Sequence, residues 1–242
     1  MQLENKKALV TGAGAIGGIG FEIAKLFAGE GAEVVITGRD AERGAEAAAA
    51  LGGKARFVLA DLTDLDSVRA LADAAGEVDI LVNNAAAVTF GPTPDQDVPS
   101  FDESFSANVR GPYFLVAALA PRMVANGGGS IINISTMVAS FGMPGMSVYS
   151  ATKAALESLT RTWAAEFAEG GVRVNTISPG PTRSAKVVGR MGDAAEQLGQ
   201  TTPLKRMAET SEVAEAVLFL ATDRASYVTG ANLPVDGGRT AI

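Results

Sequence analysis

Lys6-Lys-Ala-Leu-Val-Thr11 runs into Gly12-Ala-Gly-Ala-Ile-Gly-Gly-Ile-Gly20, and that into Phe21-Glu-Ile-Ala-Lys-Leu-Phe-Ala-Gly-Glu-Gly31. The first piece is a short apolar run of strand length. The last has apolar residues at helical spacing, Ile23, Leu26 and Phe27, with glycine as a stop. Strand, glycine loop, helix is the context that a dinucleotide-binding fingerprint requires. Glycines let the backbone approach a pyrophosphate, and the helix start offers free N–H groups and the positive end of the dipole. The loop holds a G-x-G-x-x-G at Gly12, Gly14 and Gly17, and Gly18-Ile19-Gly20 directly before the helix. A tight turn with packing glycines would use the same letters. The flanking strand and helix favour phosphate binding.

Outward from this unit the pattern repeats. Ala32 to Thr37 reads as a strand, and Asp40 as the cap of an alanine-rich helix that stops at Gly52-Gly53. Arg56 to Ala60 is a third strand with Asp61 at its end. Asp79 to Val82 is a fourth, followed by Asn83-Asn84. Two helices, about 100–106 and 109–125, meet at Asn108. Ser130 to Ile134 is the fifth strand, and the long helix after it runs to about Ala168. Gly171 to Ile177 is the sixth strand, ending in Ser178-Pro179-Gly180-Pro181. Glu212 to Ala221 is the last helix and Asn232 to Val235 the seventh strand. Residues 184–200 read as an irregular substrate lid. Strands alternating with helices imply a parallel sheet, and continuous apolar strands imply burial on both faces. The expectation is one α/β domain over residues 1–242: a doubly wound sheet of about seven parallel strands with helices on both faces. Ligands of such sheets bind at the carboxyl ends of the strands.

Tyr149-Ser-Ala-Thr-Lys153 places a phenol and an ammonium four apart, on one face of the long helix. A cation beside a phenol favours the phenolate and lowers its pKa, making it a usable acid and base nearer neutral pH. Thirteen residues upstream, Thr136 supplies a hydroxyl just past the fifth strand. An exposed tyrosine and a solvated lysine would share this spacing; the rest of the chain decides for the catalytic pair. Composition narrows the chemistry. There is no cysteine and no histidine among the 242 residues. Thiolate or imidazole nucleophiles, disulfides and Cys- or His-ligated metals are therefore excluded, and no metal site is expected. The net charge of −7, without a Lys/Arg cluster, argues against a nucleic-acid partner. No apolar run is long enough to span a membrane and no signal peptide is evident, so no membrane partner is expected and the chain reads as cytoplasmic.

Taken together, the T-G glycine loop, Asp61-Leu62, Asn83-Asn84-Ala85, Asn108-Val109, Tyr149-x-x-x-Lys153, Pro179-Gly180 and the terminal Val235-Asp-Gly-Gly238 resemble the short-chain dehydrogenase/reductase family over essentially the whole chain. The resemblance implies a Rossmann-type fold and hydride transfer between NAD(P)(H) and a ketone or secondary alcohol. It also implies a homotetramer assembled partly through the Asn108 and Tyr149 helices. Carried onto this sequence, Tyr149 is the acid/base, and Lys153 lowers its pKa and holds the nicotinamide ribose. Thr136 binds the substrate oxygen, and Asn108 positions Lys153 and a water. Gly12, Gly18 and Ile19 belong to the pyrophosphate loop, Asp61 and Leu62 to the adenine. Asn84 and Ala85 meet the adenosine-side ribose, and Pro179, Gly180 and Ser184 the nicotinamide. Three departures stand out. Five residues rather than three separate Gly12 from Gly18, Thr136 replaces a serine, and Ser184 replaces a threonine.

NADP(H) is expected over NAD(H). An acidic residue at the end of the second strand would bind the ribose 2′-hydroxyl of NAD. The resemblance implies that NAD-dependent members of the family carry Asp at that position; here it is Gly38, flanked by Thr37 and Arg39. A guanidinium pairs well with a phosphate. Met137, Val138, Met143, Met146 and Met191 suggest a small to medium, apolar carbonyl substrate, methionine being adaptable. A 3-oxoacyl-carrier-protein reductase is a narrower alternative, disfavoured because residues 125–130 carry no basic side chain to dock an acidic carrier. A non-catalytic nucleotide-sensing protein is a third reading, which retention of both Tyr149 and Lys153 opposes.

Overall fold

The computed structural model describes residues 1–242. In chain order the elements are β1 (Lys7–Thr11), α1 (Ile19–Gly29), β2 (Glu33–Gly38), α2 (Ala41–Leu51), β3 (Ala55–Leu59), α3 (Leu65–Ala75) and β4 (Ile80–Asn83). There follow α4 (Val98–Phe105), α5 (Gly111–Ala125), β5 (Gly129–Ile134), α6 (Ser147–Phe167) and β6 (Val172–Pro179). The last third holds β7 (Thr182–Arg183), α7 (Ala185–Met191), α8 (Ala195–Gln200), β8 (Ala208–Glu209), α9 (Thr210–Ala221) and β9 (Asn232–Val235).

Seven strands form one sheet in the order β3-β2-β1-β4-β5-β6-β9, and every pairing is parallel. The order turns back between β1 and β4, which opens a crevice at their carboxyl ends. Alternate residues of each strand feed opposite cores. Val10, Ile36 and Ile132 pack with Ile23, Phe27 and Val217 of α1 and α9. Leu9, Val35 and Ile131 pack with Leu71, Leu119 and Leu156 of α3, α5 and α6. Burial on both faces is why the strands are apolar without alternation.

The Asp40 side chain accepts from Arg43 N at 3.0 Å and caps α2 as expected. Gly52, at φ +84°, ends that helix in a conformation few other residues adopt. One expectation needs correction. The segment 184–200 is not irregular: it is α7 and α8 joined by a short 3-10 turn, with Ser184 capping α7 by accepting from Val187 N. The short parallel pair β7-β8 leaves no signature in the sequence. Its strands are two residues each, too short for any periodicity to register.

Candidate active site

The glycine loop is braced from β4. Thr11 Oγ1 accepts from Asn84 N at 3.0 Å and Ala85 N at 3.1 Å. The Asn84 side chain donates back to the carbonyls of Thr11 (2.8 Å) and Gly12 (3.1 Å). Gly12 has φ +66°, and a Cβ there would sit 2.7 Å from Ala85 Cα. Gly18 is the N-cap of α1 and Ile19 its first residue, so the free N–H groups of the helix start open beside the loop. The longer loop folds as a turn, Gly18 N donating to Ala15 O at 3.1 Å, and Gly17 O accepts from Ala185 N at 2.9 Å. It therefore touches the first residue of α7.

A cleft of about 840 Å³ lies along this loop, bordered among others by Gly12, Thr37, Arg39, Asp61, Ala85 and Lys186. Thr37 Oγ1 is buried with no hydrogen-bond partner in the protein. An orphan hydroxyl at the wall of a cleft, a helix N-terminus and a glycine cradle together fit a phosphate-bearing dinucleotide. The Asp61 carboxylate accepts from Thr63 N and Oγ1, at 2.9 and 2.8 Å, and fixes the turn after β3. Leu62 is buried, its carbonyl against Gly111. Arg39 pairs with Glu103 of α4 at 3.1 Å, both side chains half exposed or more. Asp40 is engaged by Arg43, whose backbone N–H and guanidinium hold its carboxyl below the usual range.

At the other end of the crevice, α6 lies against the exits of β5 and β6. Lys153 is buried, and its Nζ donates to Ile134 O at 2.7 Å. It lies 5.9 Å from the Tyr149 ring centroid. Here an expectation is corrected. Burial pushes the Tyr149 phenol up to about 12 and the Lys153 ammonium down to about 8. Desolvation disfavours both charged forms, and the ammonium is turned to a carbonyl rather than to the phenol. Of the two adjacent hydroxyls, Ser135 faces inward and donates to Glu157 Oε1 at 2.6 Å. Thr136 is less buried, and its oxygen accepts only a 3.4 Å contact from Val138 N.

Asn108 sits, fully buried, in a five-residue π-turn, Ser106–Arg110, between α4 and α5; such turns recur at functional sites. Its amide donates to Ala87 O (2.8 Å) and Thr152 Oγ1 (3.0 Å), and its Oδ1 accepts from Ala87 N (2.8 Å). It meets the neighbour of Lys153, not Lys153 itself. Pro179 ends β6. Gly180 N donates to Val235 O at 2.9 Å, and a Cβ on Gly180 would meet Asp236 Cα at 2.6 Å. Val138 is core, whereas Met143 and Met191 are exposed. Sequence reasoning missed Glu157, Glu103 and Thr152. For Glu157 a signal existed: it stands four residues beyond Lys153, as Lys153 stands four beyond Tyr149.

Similarities to known proteins agree with this geometry. The family described as "Enoyl-(Acyl carrier protein) reductase" matches residues 12–240. A cis-4-hydroxycyclohexanecarboxylate dehydrogenase of Sinomonas cyclohexanicum is 40% identical, over 97% of this chain and 96% of its own. A solved structure described as a short chain dehydrogenase/reductase family protein is 60% identical, with TM-score 0.95 over the whole of both chains. Another, described as a "putative NAD(P) dependent gluconate 5-dehydrogenase from Beutenbergia cavernae" with bound NADP at low occupancy, is 35% identical, with TM-score 0.93 over 100% of this chain and 99% of that one. No helix here is long and apolar enough to cross a membrane. The glycine cradle, the crevice between β1 and β4 and the Tyr149–Lys153 helix thus have one common explanation: the chain belongs to the short-chain dehydrogenase/reductase family and is an NAD(P)-dependent oxidoreductase.

Proposed function

We propose that the protein interconverts small to medium, predominantly apolar ketones and secondary alcohols, with Tyr149 as the acid/base. The observation that carries this reading is the pairing of Tyr149 and Lys153 on one face of α6, with Lys153 fastened to the end of β5 two residues before a Thr136 hydroxyl left uncommitted by the interior. When bound, the reduced nicotinamide supplies a hydride to the carbonyl carbon. The Tyr149 O–H delivers the proton to the carbonyl oxygen, and the phenolate left behind is reprotonated from solvent. Thr136 donates a second hydrogen bond to the same oxygen, where charge develops. A phenol held near 12 is protonated at neutral pH, the form that reduction needs. Lys153 uses one of its three donors on Ile134 O; two remain for the ribose hydroxyls. Asn108 holds Ala87 and Thr152, and so sets the height of α6 against the end of β4.

Within this reading NADP(H) is preferred over NAD(H). Gly38 presents no carboxylate at the end of β2, Thr37 holds an orphan hydroxyl, Arg39 and Arg43 border the cleft, and Asp40 is spent as a cap. Assays at 340 nm with a panel of ketones and alcohols and both cofactors test the proposal. Gly38→Asp should shift preference towards NAD(H), and Arg39→Ala should raise the KM for NADPH far more than for NADH. Glu103→Gln should lower the KM for NADPH by up to about five-fold, the scale of one exposed ion pair. Equal effects on both cofactors, or a wild type that prefers NADH, would refute the preference. Reduction of a carrier-linked 3-oxoacyl group fits less well. The only basic residue near the expected docking stretch, Arg122, is tied to Asp73 at 2.7 Å and Ala72 O at 3.2 Å.

A further inference from the structure

Tyr149, Lys153 and Glu157 occupy i, i+4 and i+8 of α6, one above another on one face. The reaction proposed above uses the first two and leaves the third without a role. Glu157 is only partly exposed. Its Oε1 accepts the Ser135 hydroxyl at 2.6 Å and lies 3.2 Å from Ser178 Oγ. Ser178 Oγ also lies 2.7 Å from Asn232 Oδ1 of β9, so its single proton is shared between two acceptors. Both serines are buried, at 3% and 2% exposure, so neither has water as a ready substitute partner. Ser135 directly precedes Thr136, and Ser178 directly precedes Pro179-Gly180. One turn earlier on the helix, Lys153 Nζ donates to Ile134 O. Successive residues leaving β5 are therefore fastened to successive turns of α6, and the second fastening also gathers in the exit of β6.

We propose that Glu157 is a positioning residue: by holding Ser135 and Ser178 on one carboxylate oxygen, it sets the distance between Thr136, which binds the substrate oxygen, and Pro179-Gly180, which seat the nicotinamide. The proposal rests on the roles given above to those residues. A short, charge-assisted hydroxyl–carboxylate bond is among the stiffer contacts a side chain makes. Hydride transfer is sensitive to sub-ångström changes in approach. No part of Glu157 need touch the reacting atoms for its loss to be felt in turnover.

The test compares Glu157→Leu, Glu157→Gln, the double variant Ser135→Ala/Ser178→Ala, and the triple variant combining that pair with Glu157→Leu. Glu157→Leu should lower kcat by about 10- to 100-fold, the scale of an ångström-sized misplacement. Its affinity for ADP-ribose, which lacks the nicotinamide, should stay within roughly two-fold. The deuterium isotope effect on kcat with 4-deuterated reduced cofactor should rise, because only the hydride step has slowed. Glu157→Gln keeps an acceptor oxygen in place and should return kcat to within roughly three-fold of wild type. The double-serine variant should fall like Glu157→Leu, and the triple variant no further, since all remove one clip. A purely structural role would instead lower the number of ADP-ribose sites in step with activity and leave the isotope effect unchanged. Wild-type kcat in Glu157→Leu, a Glu157→Gln as poor as Glu157→Leu, or losses that multiply in the triple variant would each overturn the proposal. The fluorescence of bound reduced nicotinamide reads the ring's seat without turnover. If the acid–base role of Tyr149 fails, altered emission in Glu157→Leu but not in Glu157→Gln still supports Glu157, and unaltered emission in both rejects it.

Discussion

Thr136 and Ser135 differ by one position, and that position decides what each can do. Side chains alternate along an extended chain, so one hydroxyl turns into the α6 interface and the other does not. Ser135 is taken by Glu157 at 2.6 Å, while Thr136 keeps its donor free. In our account Thr136→Ala should lower kcat by about 100-fold or more, as for loss of one donor to a developing oxyanion, and Thr136→Ser should retain most activity. Ser135→Ala should cost only a few-fold, since Ser178 still holds Glu157. Steady-state kinetics on the three variants checks this; a crippled Ser135→Ala beside an active Thr136→Ala would reverse the assignment. At this scale the sequence was informative about which residues gather and poor about their electrostatics. The four-residue spacing announces that Tyr149 and Lys153 share a face. It does not reveal that Lys153 spends a donor on Ile134 O, or that burial raises the phenol instead of a neighbouring charge lowering it. Arg39 was legible as a cation at the end of β2, but its partner Glu103 is 64 residues away and no local pattern joins them.

The elements were legible wherever a buried face left a period in the sequence. All seven strands of the main sheet fall within a residue or two of their expected ends. The π-turn at Asn108 lies at the expected junction of two helices. What lacked a period was read less well. Residues 184–200 carry three glycines and few core side chains, so α7 and α8 left little amphipathic trace; α7 has no buried residue at all. The longer glycine loop acquires a role only in three dimensions, where Gly17 O meets Ala185 N at 2.9 Å. We read α7 and α8 as a lid whose first residue is latched to the phosphate loop, so that cofactor binding and lid order are coupled. Amide hydrogen exchange across 184–200 should slow when cofactor binds, and deleting Ile16-Gly17 should weaken that protection while sparing the exchange of β1 and β4. Exchange in 184–200 that ignores cofactor would rule the coupling out.

For the whole molecule, the doubly wound sheet places the loop-borne candidate residues at the carboxyl ends of its strands. The glycine loop follows β1, Arg39 follows β2, Asp61 follows β3, Asn84 follows β4, Thr136 follows β5 and Gly180 follows β6. Six separate stretches of sequence thus come to one edge of the sheet through topology alone. The outer faces of α4 and α5 leave Phe101, Tyr113 and Phe114 more than 40% exposed, and Tyr113 packs at 6.0 Å against Trp163 of α6. Aromatic exposure across neighbouring helices suits burial against further copies of the chain. We expect a homotetramer, with light scattering giving four times the chain mass for the wild type and a smaller species for Phe114→Glu; a monomeric wild type would contradict this.

In the proposed reaction the Tyr149 proton, not merely the Tyr149 ring, carries the chemistry, and Tyr149→Phe isolates that proton. With a ketone that the wild type reduces, single-turnover reduction and cofactor affinity should be measured on the same preparation. The reduction rate should fall by about 100- to 10,000-fold, the range for loss of a general acid, with cofactor affinity nearly unchanged. A Tyr149→Phe variant that reduces the ketone within a few-fold of the wild-type rate would contradict this role.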